Sequence, residues 1–372
     1  MKIRLYILLM TMMVAVVHAN AQKVTIGTYT TKDHGHYQGE MMGGKPHGKG
    51  VTTYDNGDVY QGEYVKGKRQ GRGVYTFADG EKYAGDYFQD QRHGKGTFYY
   101  MNNNKYVGSW YRDIPHGKGV MYYYNGDVYE GLWYAGERSG KGKYTFCTGQ
   151  YYDGNWKNDE KNGYGVFHWG DAYYSGNWLN NERSGKGTNY YAEGDKYIGN
   201  WEHDLPNGKG RYEFANGDVY EGDYVNNERT GYGVVTYKNG DVYQGRFLNG
   251  ERSGTGTFKW SNGDVYTGQW AKDKHNGTGK LTKKNGDVYE GSFRDGNFEG
   301  LIIIRYHDGA RFRGNYHRGI RHGEAIEESA DGKRFEGSYK NGERDGNFVE
   351  KNKNGQVIAR GHYADGIRYT DR

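Results

Sequence analysis

Four histidines, His47, His93, His116 and His322, each precede a glycine at the same place in a recurring pattern. Imidazoles in such register invite a ladder of metal ligands. Units that advance two strands at a time would set them about 9 to 10 Å apart, whereas zinc ligands lie about 2 Å from one ion. Loop histidines are therefore expected, with no metal site and no cofactor. Gly48-Lys49-Gly50 and its copies invite a phosphate-cradling loop, but no copy continues into a GxGxxG or GK[ST] helix start, and strand pattern follows at once. Glu137-Arg138, Glu182-Arg183, Glu228-Arg229 and Glu251-Arg252 recur at one loop position, where solvated ion pairs are expected. No serine, histidine and acid constellation stands out from the background, so no catalytic residues are assigned and an enzyme is not expected.

The remaining chemistry belongs to large aromatics. Tryptophan occupies one aromatic position in five consecutive units, Trp110, Trp133, Trp156, Trp178 and Trp201, and again at Trp270, while Trp169 and Trp260 end the second strand of their units on the same face. Tryptophan brings the largest apolar area and is enriched among binding hot spots. A partner-binding groove is therefore expected at Tyr106, Trp110, Tyr129, Trp133, Tyr152, Trp156, Trp169, Tyr174, Trp178, Tyr197 and Trp201. The alternative is that these rings only pack on one another as the core of a sheet that has no second layer.

The elements that must hold the rings follow from a repeat. Tyr-x-Gly recurs with its tyrosine at Tyr37, Tyr60, Tyr83, Tyr106, Tyr129 and Tyr152, then at Tyr174, Tyr197, Tyr220, Tyr243, Tyr266 and Tyr289, continuing as Phe312, Phe335 and Ala359. The step is 23 residues except for one of 22 and one of 24, giving about fifteen units. In one unit DVYQGEY and RGVYTF read as strands. Alternation puts Tyr60, Gly62, Tyr64, Gly73, Tyr75 and Phe77 on an aromatic and glycine face, and Val59, Gln61, Glu63, Arg72, Val74 and Thr76 on a polar one. If Thr52 opposes Tyr60, Asp55-Asn56-Gly57 is a three-residue turn ending in a left-handed glycine. The 22-residue step then shortens a turn to Gly170-Asp171, and the 24-residue step adds its residue around Asn354-Gly355.

The pattern YxGxW, then GKG, then a turn around NGD, as in Tyr129-Glu130-Gly131-Leu132-Trp133 with Gly140-Lys141-Gly142, resembles the MORN repeat (membrane occupation and recognition nexus). The resemblance implies an all-β fold, an elongated single-layer antiparallel sheet of tandem hairpins, with roles in protein scaffolding, helix or peptide binding, or phospholipid contact. From Gly300 the pattern departs: the second glycine becomes Ile302, Ala325 and Phe348, and the stripe is interrupted at Glu327, Ser329, Glu350 and Asn352. Residues 22–300 are thus expected to form the regular array and 301–372 a divergent cap.

Composition agrees with an array. Of 372 residues, 64 are glycine and 40 tyrosine, with 34% hydrophobic, so aromatics rather than aliphatics must bury surface. The formal net charge is +5, without the basic stripe that nucleic-acid binding requires. Lys2 and Arg4, the apolar run Leu5 to Val17 and Ala19-Asn20-Ala21 read as a cleavable signal peptide over residues 1–21, so export to a periplasmic, cell-surface or secreted location is expected. The expected function is a non-enzymatic scaffold for a protein or peptide partner; a lipid- or glycan-contacting surface is the alternative.

Overall fold

A computed structural model describes residues 23–364 and 366–371, so the expected signal peptide lies outside the described residues. Among them every regular element is a strand, 32 in chain order, from β1 (Thr25–Thr30) to β32 (Ile367–Thr370). Two compact units divide the chain, one ending at Ser139 and one starting at Gly140. Each is a single antiparallel layer in which extensive contacts join strands that follow one another along the chain, the two-residue β29 (Glu343–Arg344) aside, past which β28 (Arg334–Lys340) pairs with β30 (Gly346–Lys351).

The expected turn register is observed. In the first unit β3 (Lys45–Tyr54) and β4 (Val59–Val65) pair with Thr52 opposite Tyr60. Asp55-Asn56-Gly57 closes them through Gly57 N–H to the Tyr54 carbonyl at 2.9 Å, with Gly57 at φ 91°. In the second unit Phe167 opposes Tyr174 and Trp169 opposes Ala172, leaving Gly170-Asp171 as the two-residue turn. The 24-residue step differs from expectation. Its turn is the usual three residues, closed by Asn352 N–H to the Gln356 carbonyl at 2.8 Å. The inserted residue, Ile358, instead bulges from the last full strand, since Glu350 pairs with Ala359 and Lys351 with Val357. A bulge absorbs one residue without disturbing a well-formed turn.

The constant spacing between the second aromatic and the next glycine has two parts. Lys66-Gly67, both at positive φ, makes a tight turn between Val65 and Lys68. A bulge follows, because Gly62 pairs with Gly73 while Tyr64 pairs with Arg69, and Gly71 at φ 82° takes the left-handed residue. The first glycine of each Gly-x-Gly is therefore conformational. The second is steric: Gly73 lies under Tyr60, and an added Cβ would stand 2.3 Å from its hydroxyl oxygen. Repeat tyrosines such as Tyr83 and Tyr174 lie across two facing glycines, the hydroxyl donating to a carbonyl three residues on, Tyr83 to Asp86 at 3.0 Å and Tyr174 to Asn177 at 3.0 Å, whereas at Tyr289 the second glycine is already Ile302.

Residues 301–372 keep the strand pattern through to β32. What changes there is the filling. Ile302, Ile304, Phe312, Ala325, Phe335, Tyr339, Phe348 and Tyr363 form an apolar cluster, because side chains replace the paired glycines.

Candidate functional site

The aromatic face is built by edge-to-face packing. In the first unit Trp110 stands perpendicular to both Tyr83 and Tyr106, at 5.2 and 5.3 Å between ring centres, and Trp133 meets Tyr106 and Tyr129 likewise. In the second unit Trp178 meets Tyr152 and Tyr174, Trp201 meets Tyr174 and Tyr197, and Trp156 meets Tyr152. Each indole N–H reaches a glycine carbonyl, from Trp110 to Gly96 at 3.3 Å and from Trp156 to Gly142 at 2.9 Å. The buried tryptophans thus have a partner for their one polar atom.

Of the eleven groove residues expected, ten are buried: Tyr106, Tyr129, Tyr174 and Tyr197 at 0% exposure, Tyr152 at 1%, and Trp110, Trp133, Trp156, Trp178 and Trp201 at 3 to 6%. They are the core of the layer. Burial pushes their phenols upward in pKa, as at Tyr106 and Tyr174. Trp169 alone is half-buried, and it belongs to another row. The residue just before each three-residue turn is aromatic and half-buried at Tyr54, Phe77, Tyr100 and Tyr123 in the first unit, and at Phe146, Tyr191, Phe214, Tyr237 and Trp260 in the second. Trp169 takes the same place before the two-residue turn. The signal for this row is present in the 23-residue period, where Phe77, Trp169 and Trp260 already stand on the aromatic face.

Cations cover the buried rings. Arg92 lies 4.7 Å from the Trp110 ring centre, Lys161 4.1 Å from Trp178, Arg183 4.2 Å from Trp201 and Arg252 4.6 Å from Trp270. The expectation of solvated Glu–Arg pairs is corrected here. Arg183 and Arg252 bond an aspartate 21 residues on, not the adjacent glutamate. Arg183 Nε donates to Asp204 Oδ1 at 3.1 Å and Nη2 to the Asp204 carbonyl at 2.7 Å; Arg252 repeats this with Asp273. Arg92 does so with Asp113 in the first unit. The adjacent glutamate starts its strand on the opposite face, out of reach of this geometry.

A second lattice joins the turns. The aspartate after each Asn-Gly accepts the backbone N–H of the next turn, Asp58 from Ala78 at 2.8 Å and Asp241 from Ser261 at 2.7 Å. The Ser261 N–H holds the Asp241 carboxyl below the usual range. Among the described residues no group of three or more His, Cys, Asp or Glu side chains could hold a metal ion. His93 and His116 instead alternate with the exposed rings Phe88, Tyr111 and Tyr134 on the other face. That face, expected to be polar, also exposes Tyr99 and Tyr122.

The MORN-repeat family model matches fourteen segments across residues 37–347. The chain belongs to the MORN-repeat family. A fifteenth unit beyond the last matched MORN segment contributes β31 (Val357–Ala364) and β32. No curated protein matches this MORN chain. Among solved structures, it is similar to the TCP domain of Drosophila melanogaster SAS-4, solved with a proline-rich motif of Ana2, at 15% identity over 48% of this chain and 90% of that one, with a TM-score of 0.27. It is also similar to the TCP10 domain of Danio rerio CPAP (9% identity, 78% and 99% covered, TM-score 0.12). A Staphylococcus aureus virginiamycin B lyase is similar at 9% identity, with 77% and 94% covered and a TM-score of 0.12.

Proposed function

We propose that this MORN-repeat protein is a non-enzymatic scaffold that works after export and binds a protein partner on its aromatic face. The observation that carries this reading is the half-buried aromatic row, which from Tyr54 to Trp260 presents one ring per unit beside the buried core. The ten buried rings serve as its foundation, and Trp169 is the member that belongs to both the expected groove and the row. The basic segment, apolar run and Ala19-Asn20-Ala21 at the N-terminus support export.

The test separates packing from contact. A partner recovered from envelope extract is titrated against wild type, Trp169→Ala and Trp156→Ala. Trp169→Ala is expected to weaken binding by about 2 kcal/mol with little change in melting. Trp156→Ala is expected to lower stability by about 3 to 5 kcal/mol. Unchanged affinity in Trp169→Ala sinks the reading.

A second reading rests on the opposite face of the first unit, where Phe88, Tyr99, Tyr111, Tyr122 and Tyr134 are exposed among Lys82, Lys95 and Lys105. Exposed aromatics with lysines suit a lipid or glycan surface. Sedimentation with anionic vesicles and a polysaccharide panel test it, with Tyr111→Ser and Tyr134→Ser expected to reduce binding.

A further inference from the structure

Where the aromatic stripe is interrupted, the second unit holds a cavity of about 390 Å³. Its origin is a loss of rings. Glu327 and Glu350 stand opposite Phe312 and Phe335, at the row where Phe258 faces Tyr266 in an earlier repeat. Ser329 takes the place that Tyr306 fills 23 residues before it. Ile358, the bulged residue, closes one side of the cavity, which Phe312, Phe335, Tyr306, Arg321 and Arg344 also line.

Arg321 differs from most arginines of its position; Arg229 also faces a glycine, Gly250, but donates Nη2 to its carbonyl at 2.8 Å. Arg92, Arg183 and Arg252 each reach an aspartate 21 residues on, whereas Gly342 occupies that place for Arg321 and only donates its N–H to the Arg321 carbonyl, at 3.0 Å. Three phenols hold the guanidinium instead. Nε donates to Tyr316 at 3.2 Å, Nη1 to Tyr339 at 3.3 Å and Nη2 to Tyr306 at 3.1 Å, with the plane over Phe312 at 4.1 Å. Neutral hydroxyls orient a cation without neutralising it. Of the three carboxylates that line the cavity, Glu327 is engaged by Arg344 at 3.1 Å and by the Tyr339 hydroxyl, and Glu350 by Arg368 at 2.7 Å, while Glu328 stands opposite Arg311 in the strand register. A guanidinium has five N–H donors, so two remain on Arg321. On the rim, Arg311 also has no carboxylate within ion-pair distance among the described residues.

We propose that this cavity binds a small organic carboxylate. The carboxylate sits on the free N–H donors of Arg321, whose fork geometry matches two oxygens, and an apolar or ring-shaped body rests against Phe335 and Ile358. The volume suits one or two residues of a peptide or one sugar, near the lower end of drug-sized pockets. The same carboxylate chemistry comes from a peptide C-terminus or from a uronic acid. None of the rings of the row from Tyr54 to Trp260 lines the cavity, so its failure leaves the scaffold reading standing.

The experiment is calorimetric titration of the full mature chain with five probes: N-acetylphenylalanine and its amide, D-glucuronate and D-glucose, and inorganic phosphate. At least one carboxylate is expected to bind saturably and at least ten-fold more tightly than its neutral counterpart. N-acetylphenylalanine as the tighter binder assigns a peptide terminus, and glucuronate an acidic sugar. Arg321→Gln is expected to weaken that binding ten-fold or more. Because Arg321 packs on Phe312, Ser329→Tyr gives an independent check. It restores the ring of the preceding repeat, fills the cavity, leaves Arg321 in place, and should abolish binding with an unchanged circular dichroism spectrum. Carboxylates that bind no better than their neutral counterparts, inorganic phosphate that binds as tightly as either, or a folded Ser329→Tyr variant that binds like wild type would each overturn the proposal.

Discussion

A repeat tyrosine and the two glycines beneath it form one packing device, and its tolerance is small. Tyr60 is fully buried, so its ring cannot swing away from a methyl group placed on Gly73. Gly73→Ala is expected to cost about 1 to 3 kcal/mol by overpacking. Gly71→Ala meets only the Glu63 side chain, nearest at its mobile carboxyl end, and is expected to cost about 1 kcal/mol through its positive φ. Urea unfolding of both variants checks the order, and an equal or reversed order would refute the stacking account. His275 supplies a second residue-scale prediction. It occupies the place taken by arginine in other repeats and stacks on Tyr266 with ring centres 3.7 Å apart. Burial, with Arg252 adding to it, pushes its imidazole down from 6.5 to about 4. The unfolded chain then binds a proton between those values that the folded chain refuses, so the contribution is complete above pH 6.5 and lost as pH falls toward 4. Phe298 fills the same position one repeat later. His275→Phe is therefore expected to lose less of its melting temperature than wild type between pH 7 and pH 4.

At the scale of the element, a hairpin in this array is joined to the next by contacts other than its ladder. The Arg–Asp clamp bridges residues 21 apart and also covers a ring, so a single arginine ties backbone, charge and core together. Its aspartate is half-exposed: the Asp113 side chain is 45% accessible. Its ion pair with Arg92 should therefore contribute about 1 kcal/mol or less. Asp113→Gly is a clean probe, because Asp113 already sits at φ 68° and Gly136 stands at the same place one repeat on. Its expected cost is at most about 1 kcal/mol, well under that of Trp110→Ala, for which about 3 to 5 kcal/mol is expected. Thermal melts of the two variants compare them directly. A larger loss from Asp113→Gly would make the clamp, and not the rings, the principal link.

For the whole molecule, nearest-neighbour packing implies that units are interchangeable within an array. Removing residues 220–242, one complete matched segment of the second unit, brings Tyr243 into the register that Tyr220 held. The shortened chain is expected to keep its strand signal in circular dichroism and to unfold cooperatively, whereas an unfolded product would show that stability is not shared between neighbours. The 23-residue period by itself determined the strands, their faces, the three-residue turn and the shortened turn at Gly170, because alternation and turn chemistry act within a few residues of the chain. Tertiary structure decided what depends on distance across strands. It alone determined that Trp110, Trp178 and Trp201 are closed under cations, since a cation can reach a ring or an aspartate 21 residues away only once both strands are in place. It also moved the inserted residue from the Asn354-Gly355 turn to a bulge at Ile358, because a bulge satisfies the ladder where a longer turn would not. The cavity at Arg321 was visible in the sequence only as a lapse of pattern at Glu327 and Ser329. The space and the unneutralised guanidinium arise from which side chains face each other across strands, a relation that no single repeat contains.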